Sequence, residues 1–397
     1  MLRPGTFAMT ALLAALTGIG PLTTDMYVPS LPEIATNLDA TTAQTQLTIS
    51  TYLVGFAVGQ IIWGPFADRH GRRPVLLVAL GLYIAATVVA ALAPTIEVLV
   101  AARVVQGIGG SGGIVLGRAV VRDLYSGARA GREMSVISAV MALAPVIAPA
   151  LGGVLETAFG WRSTFYLLVV AGVLLAAMVF ALLPETLRIR ADEPVSPGSI
   201  LRSFRVLVKS PSYLAYAAIA VTTYAGLFAW ISGASFVLQG LFGLDAFVFG
   251  LAFAAASAGY MVGAMIAARI VGRLGLDGTI GIGAAAQAFG GLCMVAAVAS
   301  GHASAFTLVA TVAIYLGGMG LVLPQAAAGA LTRFPERAGA ASSLVGFVQQ
   351  SGAAIVGALV GLALGASAWP LALTIAIVGV LVLLAWVTTR GVRVRGV

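Results

Sequence analysis

Apolar segments of about 20 residues alternate with short polar segments along the whole chain. A helix needs about 20 mainly apolar residues to cross the roughly 30 Å hydrocarbon core of a bilayer. The pattern therefore predicts twelve membrane-spanning helices. Their approximate boundaries are 6–28, 43–66, 74–94, 97–118, 133–155, 163–184, 212–235, 246–269, 279–299, 304–328, 340–363 and 367–389.

The longest polar interruption, residues 185–211, divides these helices into six plus six. It contains proline, serine and charges of both signs, which is typical of a linker. We therefore predict a first six-helix bundle at 1–184, a cytoplasmic linker at 185–211 and a second six-helix bundle at 212–397. Within the linker, the segment Ile200–Val208 is expected to form a short amphipathic helix on the membrane surface.

The basic residues are concentrated in alternate loops. All 22 of them except Arg103 and Arg162 fall on one predicted side of the membrane, together with both chain termini. Because cytoplasmic loops of membrane proteins carry an excess of lysine and arginine, this side is predicted to be cytoplasmic. The predicted fold class is thus an all-α polytopic membrane protein, with twelve transmembrane helices in two six-helix bundles and both termini in the cytoplasm.

The composition supports a multi-pass membrane protein and argues against other classes. Hydrophobic residues make up 60% of the chain and charged residues only 9%, whereas about a quarter of the residues in a soluble domain are charged. The basic residues lie in separate short loops, which argues against a nucleic-acid partner. Cys293 is the only cysteine, and His70 and His302 have no neighbours at ligand spacing, so we expect no disulfide, metal or other cofactor.

The loop G-P-F-A-D-R-H-G-R-R, residues 64–73, places four charges between two membrane-length apolar runs. It is therefore predicted to lie at a membrane surface. Gly71 supplies the backbone freedom for a tight reversal, and Pro74 suits the first turn of the next helix. The alternative is an ordinary basic hairpin. The loop resembles the one between the second and third helices of the major facilitator superfamily, and the matching positions are Gly64, Asp68, Arg69, Gly71, Arg72 and Arg73.

A weaker copy of this loop occurs in the second half of the chain. The segment AARIVGRLG at 267–275 echoes ADRHGRRPV at 67–75, and within them Gly71-Arg72 matches Gly272-Arg273 at an offset of 201 residues. Transporters built from such a repeat are expected to have two halves related by an axis along the membrane normal, with a substrate site between them.

Asp25 and Arg103 are the candidates for proton coupling. Asp25 lies near the outer end of the first predicted helix, and Arg103 lies about six residues into the fourth. An ionisable residue within a membrane segment is expensive and marks a functional site by default. Burial favours a neutral carboxyl group and a nearby guanidinium favours an ionised one, so the pair is expected to form a switchable proton site. The alternatives are that Asp25 caps a helix end and that Arg103 is a fixed hydrogen-bonding brace.

The fourth predicted helix contains R-V-V-Q-G-I-G at residues 103–109. This segment resembles a motif of proton-coupled transporters in the same superfamily, and the resemblance implies a role for Arg103 in proton coupling. Gly109, Gly113 and Gly117 follow at every fourth position and predict a smooth face for close helix packing.

A conformational latch is expected on the cytoplasmic side, where the 64–73 loop meets the end of the fourth helix. In the family pattern Arg72 pairs with an acid at the position of Asp123, and Asp68 faces the start of the eleventh helix near Gly339. The alternative is a generic interfacial charge cluster. The residues assigned to the latch are Gly64, Asp68, Arg69, Gly71, Arg72, Arg73, Arg118, Arg122 and Asp123.

The fifth predicted helix contains A-L-A-P-V-I-A-P-A-L-G-G at residues 142–153. It resembles the antiporter signature of the superfamily, with an alanine where the family has glycine before Pro149. Pro145 and Pro149 interrupt the helical hydrogen bonds, and Gly152 and Gly153 permit close contact. The alternative is a generic kinked packing helix.

Segments spread over the chain, TTDMYVPSLP, VVRDLYSG and GLVLPQAAAGAL among them, together resemble the Bcr/CflA (bicyclomycin-resistance) branch of drug:proton antiporters. Aromatic and amide side chains suit varied drug-sized ligands, although each such residue has a packing or lipid-facing role as its alternative. The candidate substrate-facing residues are Tyr27, Tyr52, Gln106, Tyr224, Trp230, Gln325, Gln349 and Gln350.

The resemblance and the pattern together indicate a proton-driven multidrug efflux antiporter in the bacterial inner membrane, acting as a monomer by alternating access. Its expected partners are a drug-sized amphiphilic substrate, protons and the lipid bilayer. The first alternative is a proton-coupled or passive transporter of a defined metabolite, such as a sugar or an amino acid. A membrane sensor or membrane enzyme is a further alternative, but the sequence offers no His/carboxylate catalytic cluster and no large soluble domain.

Overall fold

The regular structure in the computed structural model of the chain is entirely helical, and no strand occurs in the residues that it describes. The predicted all-helical fold is therefore confirmed. The described residues are 6–125, 127–187, 197–332, 334, 338–365 and 367–394. Residues 188–196 of the predicted linker, and residues 1–5 and 395–397 of the predicted cytoplasmic termini, lie outside the described residues.

Two compact units make up the chain, Met1–Val195 and Ser196–Val397, and their boundary falls within the segment predicted as a linker. The first unit contains α1 (Phe7–Asp25), a 3-10 turn (Val28–Ser30), α2 (Leu31–Asn37), α3 (Thr42–His70), α4 (Arg72–Ala91), α5 (Ile96–Leu124), α6 (Gly127–Phe159) and α7 (Arg162–Leu182). The second contains α8 (Pro197–Val208), α9 (Pro211–Ser235), a π-helical turn (Phe236–Leu241), α10 (Ala246–Ala299), α11 (Ala305–Thr332), α12 (Ala338–Ala363), α13 (Trp369–Thr388) and α14 (Arg390–Val394).

Ten helices in the described residues are long and apolar enough to cross a membrane. Each predicted span overlaps a helix, but two of them, 246–269 and 279–299, share the 54-residue α10. Gly275 interrupts α10 with φ 68° and ψ −179°, a backbone conformation that glycine adopts and other residues avoid. The element α10 is thus two helices joined at a kink, as the two separate predicted spans require.

The ends of the helices follow from local side chains. Thr41 and Gln44 form a reciprocal capping box at the start of α3, in which the N–H of Gln44 donates to Oγ1 of Thr41 at 3.2 Å. Asp245 caps α10 by accepting the N–H of Val248 at 2.7 Å. Between α3 and α4 the chain reverses at Gly71, whose φ is 101°.

The helix α5 is central to the first unit, because its glycines let three other helices approach its backbone. A Cβ atom on Gly107 would collide with the carbonyl oxygen of Tyr52 in α3, and one on Gly113 would collide with that of Leu16 in α1. A Cβ atom on Gly109 would lie 2.5 Å from the backbone nitrogen of Tyr83 in α4. Gly109 and Gly113 of the predicted packing face therefore make the close helix contacts expected of them.

The close packing of α3 and α5 recurs between α10 and α11. A Cβ atom on Gly55 would collide with the carbonyl oxygen of Val104, and one on Gly259 would collide with that of Ala313. The two glycines, Gly55 and Gly259, are 204 residues apart in the chain, and the residues that they contact, Val104 and Ala313, are 209 residues apart. The contact between Gly109 and Tyr83 recurs between Gly318 and Gln287, again at offsets of 209 and 204 residues.

This 204-residue offset corrects the register predicted for the internal repeat. It aligns Gly71 with Gly275, whereas the sequence match aligns Gly71 with Gly272. Gly71 and Gly275 both have positive φ values, of 101° and 68°, and Gly272 does not. The two loops share a backbone reversal more than they share neighbouring residue types, and this is why the residue match was three positions out of register.

Candidate functional site

Arg103 lies fully buried in α5 against two tyrosine rings. Its Cζ atom is 4.3 Å from the ring centroid of Tyr52 and 4.7 Å from that of Tyr27. Its Nε atom donates to the carbonyl oxygen of Thr48 at 3.2 Å, and Nη1 donates to Oε1 of Gln106 at 2.7 Å. Aromatic faces and neutral oxygens therefore hold a guanidinium that cannot lose its proton.

Neutral hydrogen bonds extend this cage to neighbouring helices. The amide Nε2 of Gln106 donates to Oγ1 of Thr87 in α4 at 2.9 Å. The hydroxyl of Tyr52 donates to a backbone carbonyl of α1 at 3.2 Å. Tyr27, Tyr52 and Gln106 were predicted as substrate-facing residues, and in this structure all three hold the guanidinium.

Asp25 is the last residue of α1 and is 5% exposed. Among the described residues its carboxylate forms no hydrogen bond or ion pair, and Nη2 of Arg103 is also without a partner. No hydrogen bond or ion pair therefore joins the side chains of Asp25 and Arg103 in this conformation. A buried charge without an opposite charge is costly, so the Arg103 guanidinium is suited to receive an anion.

Arg72, the first residue of α4, pairs with two carboxylates of the first unit. Its Nη1 atom lies 2.6 Å from Oδ1 of Asp68, and its Nε atom lies 2.9 Å from Oδ2 of Asp123. The pairing of Arg72 with Asp123 expected from the family pattern is thus present. The side chain of Asp123 is 16% exposed and that of Asp68 39%, so water screens the pair with Asp68 more strongly.

Glu185 completes this cluster, and sequence analysis missed it because it begins the segment interpreted as a linker. Its carboxylate accepts the backbone N–H groups of Arg72 at 2.9 Å and of Arg73 at 3.2 Å. These are the first two residues of α4, whose N–H groups lack helical partners and favour an anion. The available signal is an acid directly after the sixth span, on the same side as the 64–73 loop.

The remaining residues assigned to the latch lie outside the ion pairs of Arg72. The guanidinium of Arg73 lies over the Phe180 ring, with Cζ 5.5 Å from its centroid. A Cβ atom on Gly64 would come no closer than 4.0 Å to any neighbour, so only Gly71 is required by the backbone. Three arginines are exposed and form no ion pair among the described residues, namely Arg69, Arg118 and Arg122.

The second unit contains an ion pair between Arg393 and Asp277. Nε and Nη2 of the fully buried Arg393 lie 2.8 Å and 2.7 Å from Oδ1 of Asp277. The indole N–H of Trp386 donates to the backbone oxygen of Asp277 at 3.0 Å. In the 204-residue register Asp277 corresponds to Arg73, and Arg393, like Glu185, follows the last long helix of its unit. This pair was not predicted from the sequence, because the repeat was assigned a different register there.

The antiporter-like signature lies within α6. Pro145 and Pro149 are inside the helix, and Gly152 and Gly153 are buried. A Cβ atom on Gly152 would collide with the carbonyl oxygen of Met26. The signature therefore packs α6 tightly against the end of α1 that carries the predicted proton site.

The other predicted substrate-facing residues lie in the second unit, and the contacts of Trp230 and Gln349 are with residues outside this predicted set. The Trp230 ring packs on Phe253, with 6.0 Å between centroids. The side chain of Gln349 donates to the carbonyl oxygen of Ala220 at 3.4 Å. These five residues lie on α9, α11 and α12, and they are Tyr224, Trp230, Gln325, Gln349 and Gln350.

Several buried polar side chains lie inside apolar runs and were not predicted as functional from the sequence. Glu133 in α6 is 8% exposed and accepts the hydroxyl of Thr10 in α1 at 2.6 Å. Gln287 and Tyr315 are fully buried, and among the described residues neither the amide nor the hydroxyl has a hydrogen-bond partner. The interior of the second unit is therefore polar at these positions without a fixed charge such as that of Arg103.

Comparison with known proteins gives matches along almost the whole chain. The sequence profile of the Major Facilitator Superfamily matches residues 13–357. The chain is 33% identical to a bicyclomycin resistance protein homolog of Haemophilus influenzae, over 99% of both chains. It is 28% identical to multidrug resistance protein D of Escherichia coli K12, over 97% of this chain and 96% of the relative. A D-xylose–proton symporter has a similar fold, with a TM-score of 0.73, 16% identity and 97% of each chain covered.

Proposed function

The chain belongs to the Major Facilitator Superfamily and is a multi-pass membrane transporter, and we propose that it exports drug-sized amphiphilic compounds in exchange for protons. The observation that carries this proposal is the guanidinium of Arg103, a fixed positive charge held by neutral groups. The full-length similarity to a bicyclomycin resistance protein homolog and to a multidrug resistance protein supports it.

The proposed topology has twelve crossings of the bacterial inner membrane, with both termini in the cytoplasm and a monomer as the working unit. The overlap of every predicted span with a helix supports this topology, as does the kink at Gly275, which separates two spans within α10. The alternation of basic loops supports the orientation.

Asp25 carries the proton in this mechanism. Its carboxyl group exchanges between a protonated state and an ionised state that is attracted to Arg103. Two unit charges about 4 Å apart interact by about 4 kcal/mol at an effective dielectric constant near 20. Even half of that energy changes the protonation equilibrium more than tenfold, at about 1.4 kcal/mol per factor of ten. Substrate bound beside these groups competes with the proton, and this competition is the coupling that antiport needs.

The Arg72 cluster acts as the latch that stabilises one conformation of the cycle. It ties the ends of α3, α4 and α5 together through Asp68 and Asp123, and Glu185 fixes the start of α4.

The transport assay that tests this function uses purified protein in liposomes with an imposed pH gradient. The compounds are chloramphenicol as a neutral drug, tetraphenylphosphonium as a cation, and D-xylose and leucine as metabolites. We expect the gradient to drive movement of at least one drug and neither metabolite, and a protonophore to abolish it. Gradient-driven movement of a metabolite alone would instead favour the transporter of a defined metabolite.

A further inference from the structure

The helix α8 is fixed to the second unit immediately before the membrane-spanning α9. Leu207 is fully buried, and with Phe204 it packs into a hydrophobic core shared with α9, α11 and α12. Only Lys209 and Ser210 separate α8 from α9, and Ser210 caps the first turn of α9 by accepting the N–H of Tyr213 at 3.4 Å. The helix α8 therefore lies at the boundary of the hydrocarbon layer.

Three exposed cations form a basic stripe along α8 and the residue that follows it. Arg202, Arg205 and Lys209 have the spacing i, i+3 and i+7, which places them within about 60° of one another at 3.6 residues per turn. The buried Leu207 lies on nearly the opposite side. Among the described residues no acidic side chain pairs with any of the three cations.

An apolar flank adjoins this basic stripe. Leu201 and Val208 are seven residues apart, so they share one side of the helix, and they are 62% and 46% exposed. A helix with one basic side and one exposed apolar side lies in the plane of the membrane interface, with its apolar side among the acyl chains. A soluble anion would contact the cations but leave this flank in water, whereas a lipid contacts both.

We propose that α8 is a binding site for the head groups of anionic phospholipids. Arginine forms paired hydrogen bonds with phosphate oxygens, and lysine adds a mobile positive charge. Basic segments next to a transmembrane helix are attracted to anionic lipid surfaces. Because Leu207 packs α8 onto the second unit, a lipid bound at the basic stripe stabilises that unit directly.

Lipid binding to the purified full-length transporter tests this site. The test variant carries Arg202→Gln, Arg205→Gln and Lys209→Gln. The control variant carries Arg269→Gln, Arg273→Gln and Arg390→Gln, which removes the same charge from other exposed positions of the second unit. Native mass spectrometry counts bound phosphatidylglycerol and phosphatidylcholine, and thermal melting in detergent measures the rise in Tm with each lipid.

We expect the wild type and the control variant to retain phosphatidylglycerol and to gain several degrees in Tm from it, and the test variant to lose both effects. All three proteins should melt alike in detergent alone. Arg205→Glu provides a single-substitution check and should weaken phosphatidylglycerol binding on its own. Equal binding by all three proteins, an equal loss in the control variant, or displacement by inorganic phosphate would overturn the proposal.

Discussion

The guanidinium of Arg103 lies over the ring of Tyr52, with 4.3 Å between Cζ and the ring centroid. Tyr27 contributes a second ring at 4.7 Å, and its hydroxyl lies 2.8 Å from that of Thr48. The charge of Arg103 is thus stabilised without a carboxylate in this conformation. A cation prepared in this way can attract Asp25 or an anionic group of a substrate, and the proposed exchange of a proton for a substrate depends on this property.

Two substitutions of Arg103 distinguish the effect of its positive charge from the effect of its hydrogen bonds. Arg103→Lys keeps a positive charge but cannot reproduce the bonds from both Nε and Nη1, so we expect slower proton-driven transport that is still coupled. Arg103→Gln removes the charge, and we expect coupling to be lost. Transport with and without a pH gradient in liposomes measures the difference, and retained coupling in Arg103→Gln would show that Arg103 is only a structural brace.

Asp68 and Asp123, whose carboxylates pair with Arg72, should contribute unequally to stability. Asp123→Asn weakens a charged hydrogen bond that is mostly shielded from water, and we expect a loss of about 1.5–3 kcal/mol. Asp68→Asn affects a more exposed pair, for which about 1 kcal/mol is the upper limit. Thermal melting in detergent ranks the variants. A larger loss for Asp68→Asn than for Asp123→Asn would contradict this ranking by exposure.

Glu185 should affect conformational exchange more than substrate binding. Glu185→Gln weakens the interaction of its carboxylate with the first N–H groups of α4, and capping interactions of this kind contribute about 0.5–2 kcal/mol. We expect slower or unbalanced counter-transport with a nearly unchanged substrate Kd. Exchange rates and equilibrium binding on the same preparation distinguish these effects, and a weaker Kd at normal exchange rates would contradict the latch.

The pair of Arg393 and Asp277 should stabilise the second unit. Removing one partner of a buried ion pair costs about 3–5 kcal/mol, and because Asp277 is 25% exposed we expect Arg393→Gln to fall at the lower end. Arg393→Gln combined with Asp277→Asn should recover part of the loss in Tm. Additive losses in the double variant would show that the two side chains are not energetically coupled.

The helices were predictable because each membrane crossing needs a long apolar run, and the reversal at Gly71 because few residues tolerate its φ of 101°. The partners of Arg103 were not predictable, since they depend on how α3 and α5 are rotated against each other at Gly107. The capping role of Glu185 was not predictable, because a polar linker and a helix cap use the same residue types. The repeat register was wrong because a three-residue shift preserves a similar pattern of glycine and arginine.

Proton release on substrate binding tests the role of Asp25 most directly. Purified protein in weakly buffered detergent solution, with a pH indicator, receives chloramphenicol or tetraphenylphosphonium. The wild type should release protons, and Asp25→Asn should release none while remaining folded. Asp39→Asn is the control, because Asp39 is exposed and asparagine tolerates its positive φ of 48°. Release from Asp25→Asn equal to that of the wild type and of Asp39→Asn would contradict the proposal that Asp25 exchanges a proton for the substrate.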